Sequence, residues 1–130
     1  MRKTVLTLAV VAAMSLLVCG VALAALPELV GTARDNTIRG TDKAEIIKGL
    51  AGKDEVHARG GADVVKGGPD NDRIVVARDI SEDRVSCGEG RNDTVVADPD
   101  DRVDGVRASR AAADPEVTCE NVTVVVAPPN

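Results

Sequence analysis

Asp54, Asp63 and Asp72 stand nine residues apart, and a β-branched aliphatic, Val56, Val65 or Ile74, follows each at the second place. Carboxylates recurring at a fixed interval suit three kinds of chemistry. They are hard oxygen ligands for calcium, acceptors for backbone amides at turns, or metal-bridging groups in hydrolysis. Which of these applies depends on the elements that carry them.

Cut from Gly31, the chain falls without gaps into five nonapeptides: GTARDNTIR, GTDKAEIIK, GLAGKDEVH, ARGGADVVK and GGPDNDRIV. Their first position reads Gly31, Gly40, Gly49, Ala58 and Gly67, the sixth Asn36, Glu45, Asp54, Asp63 and Asp72, and the eighth Ile38, Ile47, Val56, Val65 and Ile74. A period of nine fits neither a 3.6-residue helix nor a long alternating strand. It predicts a glycine-permitted turn followed by a strand of about three residues, in which the middle side chain points inward and its neighbours outward. Within Glu55-Val56-His57 that places Val56 inside. One such strand buries almost nothing, so it must stack on copies of itself as a solenoid.

The composition agrees with a thin core. The 130 residues include no Phe, Tyr or Trp, so Val, Ile, Leu and Ala must build the interior, and the stacking platforms common in nucleic-acid and sugar sites are missing. The formal charge is −5. The leader MRKTVLTLAVVAAMSLLVCGVALA has two cations, an apolar run and a small-x-small end at Ala22-Leu23-Ala24, which predicts a secretory signal over residues 1–24. A membrane anchor and a lipid-modified Cys19 are the alternatives for this segment. Cleavage removes Arg2 and Lys3 and keeps all 21 acidic residues, taking the charge to −7. So acidic a chain is an unsuitable partner for nucleic acid, and no membrane contact is expected after cleavage. Cys87 and Cys119 remain; an oxidising compartment predicts a disulfide between them, with two free thiols as the alternative.

The pattern G-G-x-G-x-D-x-U-x, with U a large aliphatic, is that of the hemolysin-type calcium-binding repeat, or RTX repeat, and Gly49 to Val75 resembles it closely. GGPDNDRIV fits at positions one, two, six and eight, GLAGKDEVH at one, four, six and eight, and ARGGADVVK at four, six and eight. The first two repeats carry Thr32 and Thr41 at position two, Arg34 and Lys43 at position four, and Asn36 and Glu45 in place of the aspartate. The resemblance implies a secreted bacterial protein, all-β, folded as a right-handed parallel β-roll in which two nonapeptides make one coil. It also implies calcium as the cofactor and partner, held between adjacent coils. Carried over residue by residue, the best site uses Asp54 and Asp72 with carbonyls of Gly49, Ala51, Gly68 and Asp70. Asp63 serves the other side, with Glu45 one coil before it and Asp83 one coil after, two residues late. A two-residue insertion among Val76, Ala77 and Arg78 would bring Asp83 into line. Asn36 takes the ligand position of the first repeat.

Beyond Val75 the phrase acid-x-Val recurs at Asp83, Asp93 and Asp101, predicting three further short strands in a degenerate β-roll over residues 76–106. Residues 107–116 read as a loop or short helix, and residues 117–126 as a closing strand pinned at Cys119. His57 is the one histidine and faces outward, so no activated nucleophile is expected and the chain is not read as an enzyme. The expected function is calcium binding coupled to folding. The alternative is a metal-independent structural or adhesive solenoid at the cell surface, with the aspartates serving only as turn formers.

Overall fold

The computed structural model describes residues 25–111 and 118–126. The expected signal peptide, Cys19 and the last four residues lie outside the described residues. Eleven short strands follow one another: β1 (Glu28–Val30), β2 (Thr37–Arg39), β3 (Ile46–Lys48), β4 (Glu55–His57), β5 (Val64–Gly68), β6 (Arg73–Val75), β7 (Arg84–Gly88), β8 (Thr94–Ala97), β9 (Arg102–Val103), β10 (Val106–Arg107) and, after the single helical turn α1 (Ala108–Ala111), β11 (Asn121–Val124). No helix of the described residues is long and apolar enough to cross a membrane.

The strands alternate between two sheets. One is ordered β1-β3-β5-β7-β9-β10 and the other β11-β8-β6-β4-β2. All pairings are parallel except the β9–β10 hairpin. Partners lie 18 residues apart in the repeats, as in Thr37↔Glu55 and Ile46↔Val64, so two nonapeptides make one coil of a parallel β-roll. The step grows to 20 residues at Val64↔Arg84, because the turn between β6 and β7 holds two more residues. That is the insertion expected before Asp83.

Between the sheets runs a column of aliphatic side chains, one per strand. Ile47, Val65, Val85 and Val103 come from one sheet and meet Val56, Ile74 and Val95 from the other, all buried. Their flanking residues point outward, as a three-residue strand demands. Leu29 and Ile38 in the first coil and Val122 in the last are only partly buried, since each has a neighbouring coil on one side alone. Residues 107–116 were expected as a loop or short helix; of their described part Arg107 ends β10 and the rest forms α1, whose Ala108 and Ala111 complete the core at that end. Cys87 and Cys119 form the disulfide, with Cα atoms 5.5 Å apart, and tie the start of the β11 segment to β7.

Candidate metal centre

Each nonapeptide turn ends on a carboxylate or its amide, and the 18-residue step stacks these side chains into two columns along the roll. The first column holds Asn36, Asp54, Asp72, Asp93 and Glu120. The amide of each donates to the side-chain oxygen of the next: Asn36 N to Asp54 Oδ1 at 2.8 Å, Asp54 N to Asp72 Oδ1 at 2.9 Å, Asp72 N to Asp93 Oδ1 at 2.8 Å and Asp93 N to Glu120 Oε2 at 2.8 Å. The second column runs Glu45, Asp63, Asp83 and Asp101, with the same donation at 2.8, 2.7 and 3.0 Å. Asp54 and Asp72 thus lie on adjacent coils of one flank, and Asp83 falls into line with Asp63.

In Asp54, Asp63, Asp72, Asp83 and Asp93 one oxygen is therefore employed in holding coils together. The other is not. Oδ2 of Asp54, Asp63, Asp72, Asp83 and Asp93 is buried and meets no donor. A buried anionic oxygen without a partner is costly, and the titration of these groups reflects it. Burial, with the neighbouring charges of Glu45 and Asp79 added, pushes Asp63 up to about 6. Burial pushes Asp72 up to about 6, with Asp54 beside it contributing repulsion, and Asp83 up to about 8, with Asp101, Asp79 and Asp63 contributing. Asp54, Asp93 and Asp101 are raised chiefly by burial as well.

Glycine makes room for this arrangement. A Cβ on Gly49 would run into Asp54 Oδ2 and would lie 2.6 Å from the Gly67 carbonyl oxygen. On Gly67 it would lie 2.5 Å from both Asp72 Oδ2 and the Cys87 carbonyl oxygen. At each of these corners an unpaired carboxylate oxygen and a carbonyl from the next coil share the space that a side chain would take. Backbone angles set the rest of the turn. Positions two and four are left-handed in three successive turns: Leu50 (φ 77°) and Gly52 (φ 100°), Arg59 (φ 76°) and Gly61 (φ 97°), Gly68 (φ 131°) and Asp70 (φ 78°). The turns of the first two repeats have no such residues, which is why Thr32, Arg34, Thr41 and Lys43 are tolerated there.

The carbonyls named from the sequence do not all face one gap. The Gly49 carbonyl is turned toward Gly31 in the coil before. That of Gly68 accepts from Glu89 N at 3.1 Å, and that of Asp70 faces Gly90, so both serve the following coil. Between the coils of Asp54 and Asp72, the carbonyls directed into the gap are those of Leu50, against Gly68, and of Gly67, against Gly49. Ala51 lies half-buried in the same turn. In the first two repeats the side chains fold back on their own turns: Asn36 Oδ1 accepts from Thr32 N at 2.6 Å, and Glu45 Oε2 from Thr41 N at 2.8 Å.

Three residues of the columns escaped the sequence reading as site residues. Asp93 and Asp101 carry the acid-x-Val phrase, and Glu120 repeats it with Val122, so the signal existed, but steps of 21 and 27 residues hid the alignment of Asp93 and Glu120, and Asp101 stands 18 residues beyond Asp83, which is itself displaced by two. Asp79 is a further case. It sits in the inserted turn, its Oδ1 accepts from Ser81 N at 3.0 Å, and its Oδ2 is buried without a partner. No repeat position announces it. Among the described residues no three acidic, histidine or cysteine side chains converge as a metal cluster, so any cation at these corners must draw on carbonyl oxygens too, which suits calcium better than zinc.

The model of the RTX calcium-binding nonapeptide repeat matches residues 39–74 in four copies. No curated protein and no solved structure matches the chain.

Proposed function

We propose that this chain is a secreted calcium-binding β-roll whose stacked carboxylates accept the ion between coils and whose folding is strengthened by it. The observation that supports this most is the row of buried Oδ2 atoms without a donor, at corners kept open by glycine. Asp54 and Asp72, with the carbonyls of Leu50 and Gly67, make the best-formed set. Asp63 and Asp83, with Glu45 a coil earlier, and Asp72 with Asp93 offer the same oxygen chemistry. A divalent cation there supplies positive charge to carboxylates that otherwise repel, and its binding free energy adds to that of folding. The reading assigns the columns to binding, and His57 pairs with Glu55 at 3.2 Å.

One observation favours a second reading, a metal-independent structural or adhesive coil. Each Oδ1 already caps an amide of the neighbouring coil, which is a structural use of the residue that needs no ion. Asp54→Asn with Asp72→Asn separates the two. Asparagine keeps Oδ1 as an acceptor, and its Nδ2 can donate to the carbonyl beside it, so the chelated variant should melt no lower than the chelated parent. Calcium should then raise the melting temperature of the parent, with a magnesium control giving much less, and leave the variant nearly unmoved. A parent whose circular dichroism and melting temperature ignore both calcium and chelator would establish the structural reading instead.

A further inference from the structure

On the outer face of the β4-β6-β8 sheet, away from both carboxylate columns, lies a depression of about 380 Å³. Its floor is apolar. Val75 and Val96 are register partners on adjacent strands, both at outward positions in the row that holds Arg39 and His57 in the same sheet, and Val125 extends the floor. Four basic side chains, His57, Arg59, Arg73 and Arg78, surround it, and no carboxylate lines it. In a chain of formal charge −5 such a gathering of cations is against the average.

The chain holds two of these arginines in place at a cost. Arg59 (φ 76°) and Arg78 (φ 89°) both adopt the left-handed conformation that disfavours a residue with a Cβ. Arg59 occupies position two of its repeat, where the motif takes glycine. Glu55 serves His57 at 3.2 Å and Arg73 at 3.5 Å. Arg59 and Arg78 have no ion-pair partner among the described residues.

We propose that this depression binds a small amphiphilic anion, a compact oxyanion head on a short aliphatic body. The guanidinium groups of Arg59 and Arg78 hold the head through charge-assisted hydrogen bonds, while Val75, Val96 and Val125 cover the body. The volume lies within the range of small-ligand sites. Charge complementarity selects the head and the valine floor selects the tail, so neither part alone binds well.

Titration calorimetry of the full chain, in calcium, with hexyl sulfate tests this against inorganic sulfate and hexanol. Hexyl sulfate should bind at least ten-fold more tightly than either control. Anionic lipid vesicles form a second arm that tells a membrane-borne head from a free one. The variant Arg59→Gly/Arg78→Gly should lose ten-fold or more in affinity with an unchanged or higher melting temperature, because glycine relieves both left-handed positions. The proposal is overturned if the parent does not bind hexyl sulfate, if hexanol binds equally well, or if the folded variant keeps the parent affinity.

Discussion

Gly49 and Leu50 are neighbours with opposite problems. Gly49 has no left-handed angle to accommodate; it needs only the absence of a Cβ, because Asp54 Oδ2 and the Gly67 carbonyl fill that space. Leu50 has the reverse need. Its φ of 77° is strained for a residue with a Cβ, and the residue is 43% exposed, so its burial is too small to compensate. Leu50→Gly should therefore stabilise the fold by about 0.5–1 kcal/mol, the relief of the left-handed penalty exceeding glycine's added unfolded-state entropy. Gly49→Ala should destabilise by about 1–3 kcal/mol, the range for overpacking against atoms that cannot retreat, here partly backbone. Thermal melts of both variants in calcium and in chelator check the pair. A destabilised Leu50→Gly would show that the leucine's packing outweighs its strain.

At the scale of elements, the nine-residue spacing made the strands legible, because one aliphatic per nonapeptide can be buried only by stacking. The central sixth-position acids were legible for the same reason: Asp54, Asp63 and Asp72 each hold a fixed offset from Val56, Val65 and Ile74. The carbonyls were not. Whether Gly49 or Gly67 turns its oxygen into a given gap depends on left-handed angles at positions two and four, which side-chain identity does not reveal when Leu50 and Arg59 stand where glycine is the rule. The antiparallel β9–β10 hairpin was equally hidden, since Asp104 (φ 48°) and Gly105 (φ 84°) reverse the chain just where another parallel coil would begin. From there the chain returns to β8 only at β11, 27 residues beyond the strand it joins. The disulfide fixes that return. Replacing Cys87 and Cys119 together with serine should cost roughly 3 to 4 kcal/mol by loop entropy. The loss should appear first as faster amide exchange in β11, with β4 and β6 protected longest, because an end strand with one neighbour opens before the middle of the stack. Uniform loss of protection would instead mean that the roll opens as one unit.

Across the whole molecule, the two carboxylate columns make stability depend on protons in a direction opposite to that of most folded acids. A carboxyl group that is salt-bridged on folding has its pKa lowered, and acid unfolds the protein. Here burial and mutual repulsion raise it: Asp63 and Asp72 to about 6 and Asp83 to about 8, from an ordinary value of 3.8. The folded chain then holds more protons than the unfolded chain between those limits, so its stability falls as pH rises. The contribution from these groups is complete below pH 3.8 and is lost through pH 6 for Asp63 and Asp72 and through pH 8 for Asp83. In chelator, the melting temperature should therefore climb as pH is lowered from about 8.5 to about 5. Under the proposed calcium binding the sign reverses, since ion and proton would compete for the same oxygens and the ion would stabilise only the ionised columns. In excess calcium the melting temperature should fall over the same acidification, and the two curves should converge at low pH. Parallel curves with and without calcium would show that no cation shares those oxygens. A chelated protein that loses stability on acidification would show that the columns are not the buried, self-repelling groups their surroundings make them.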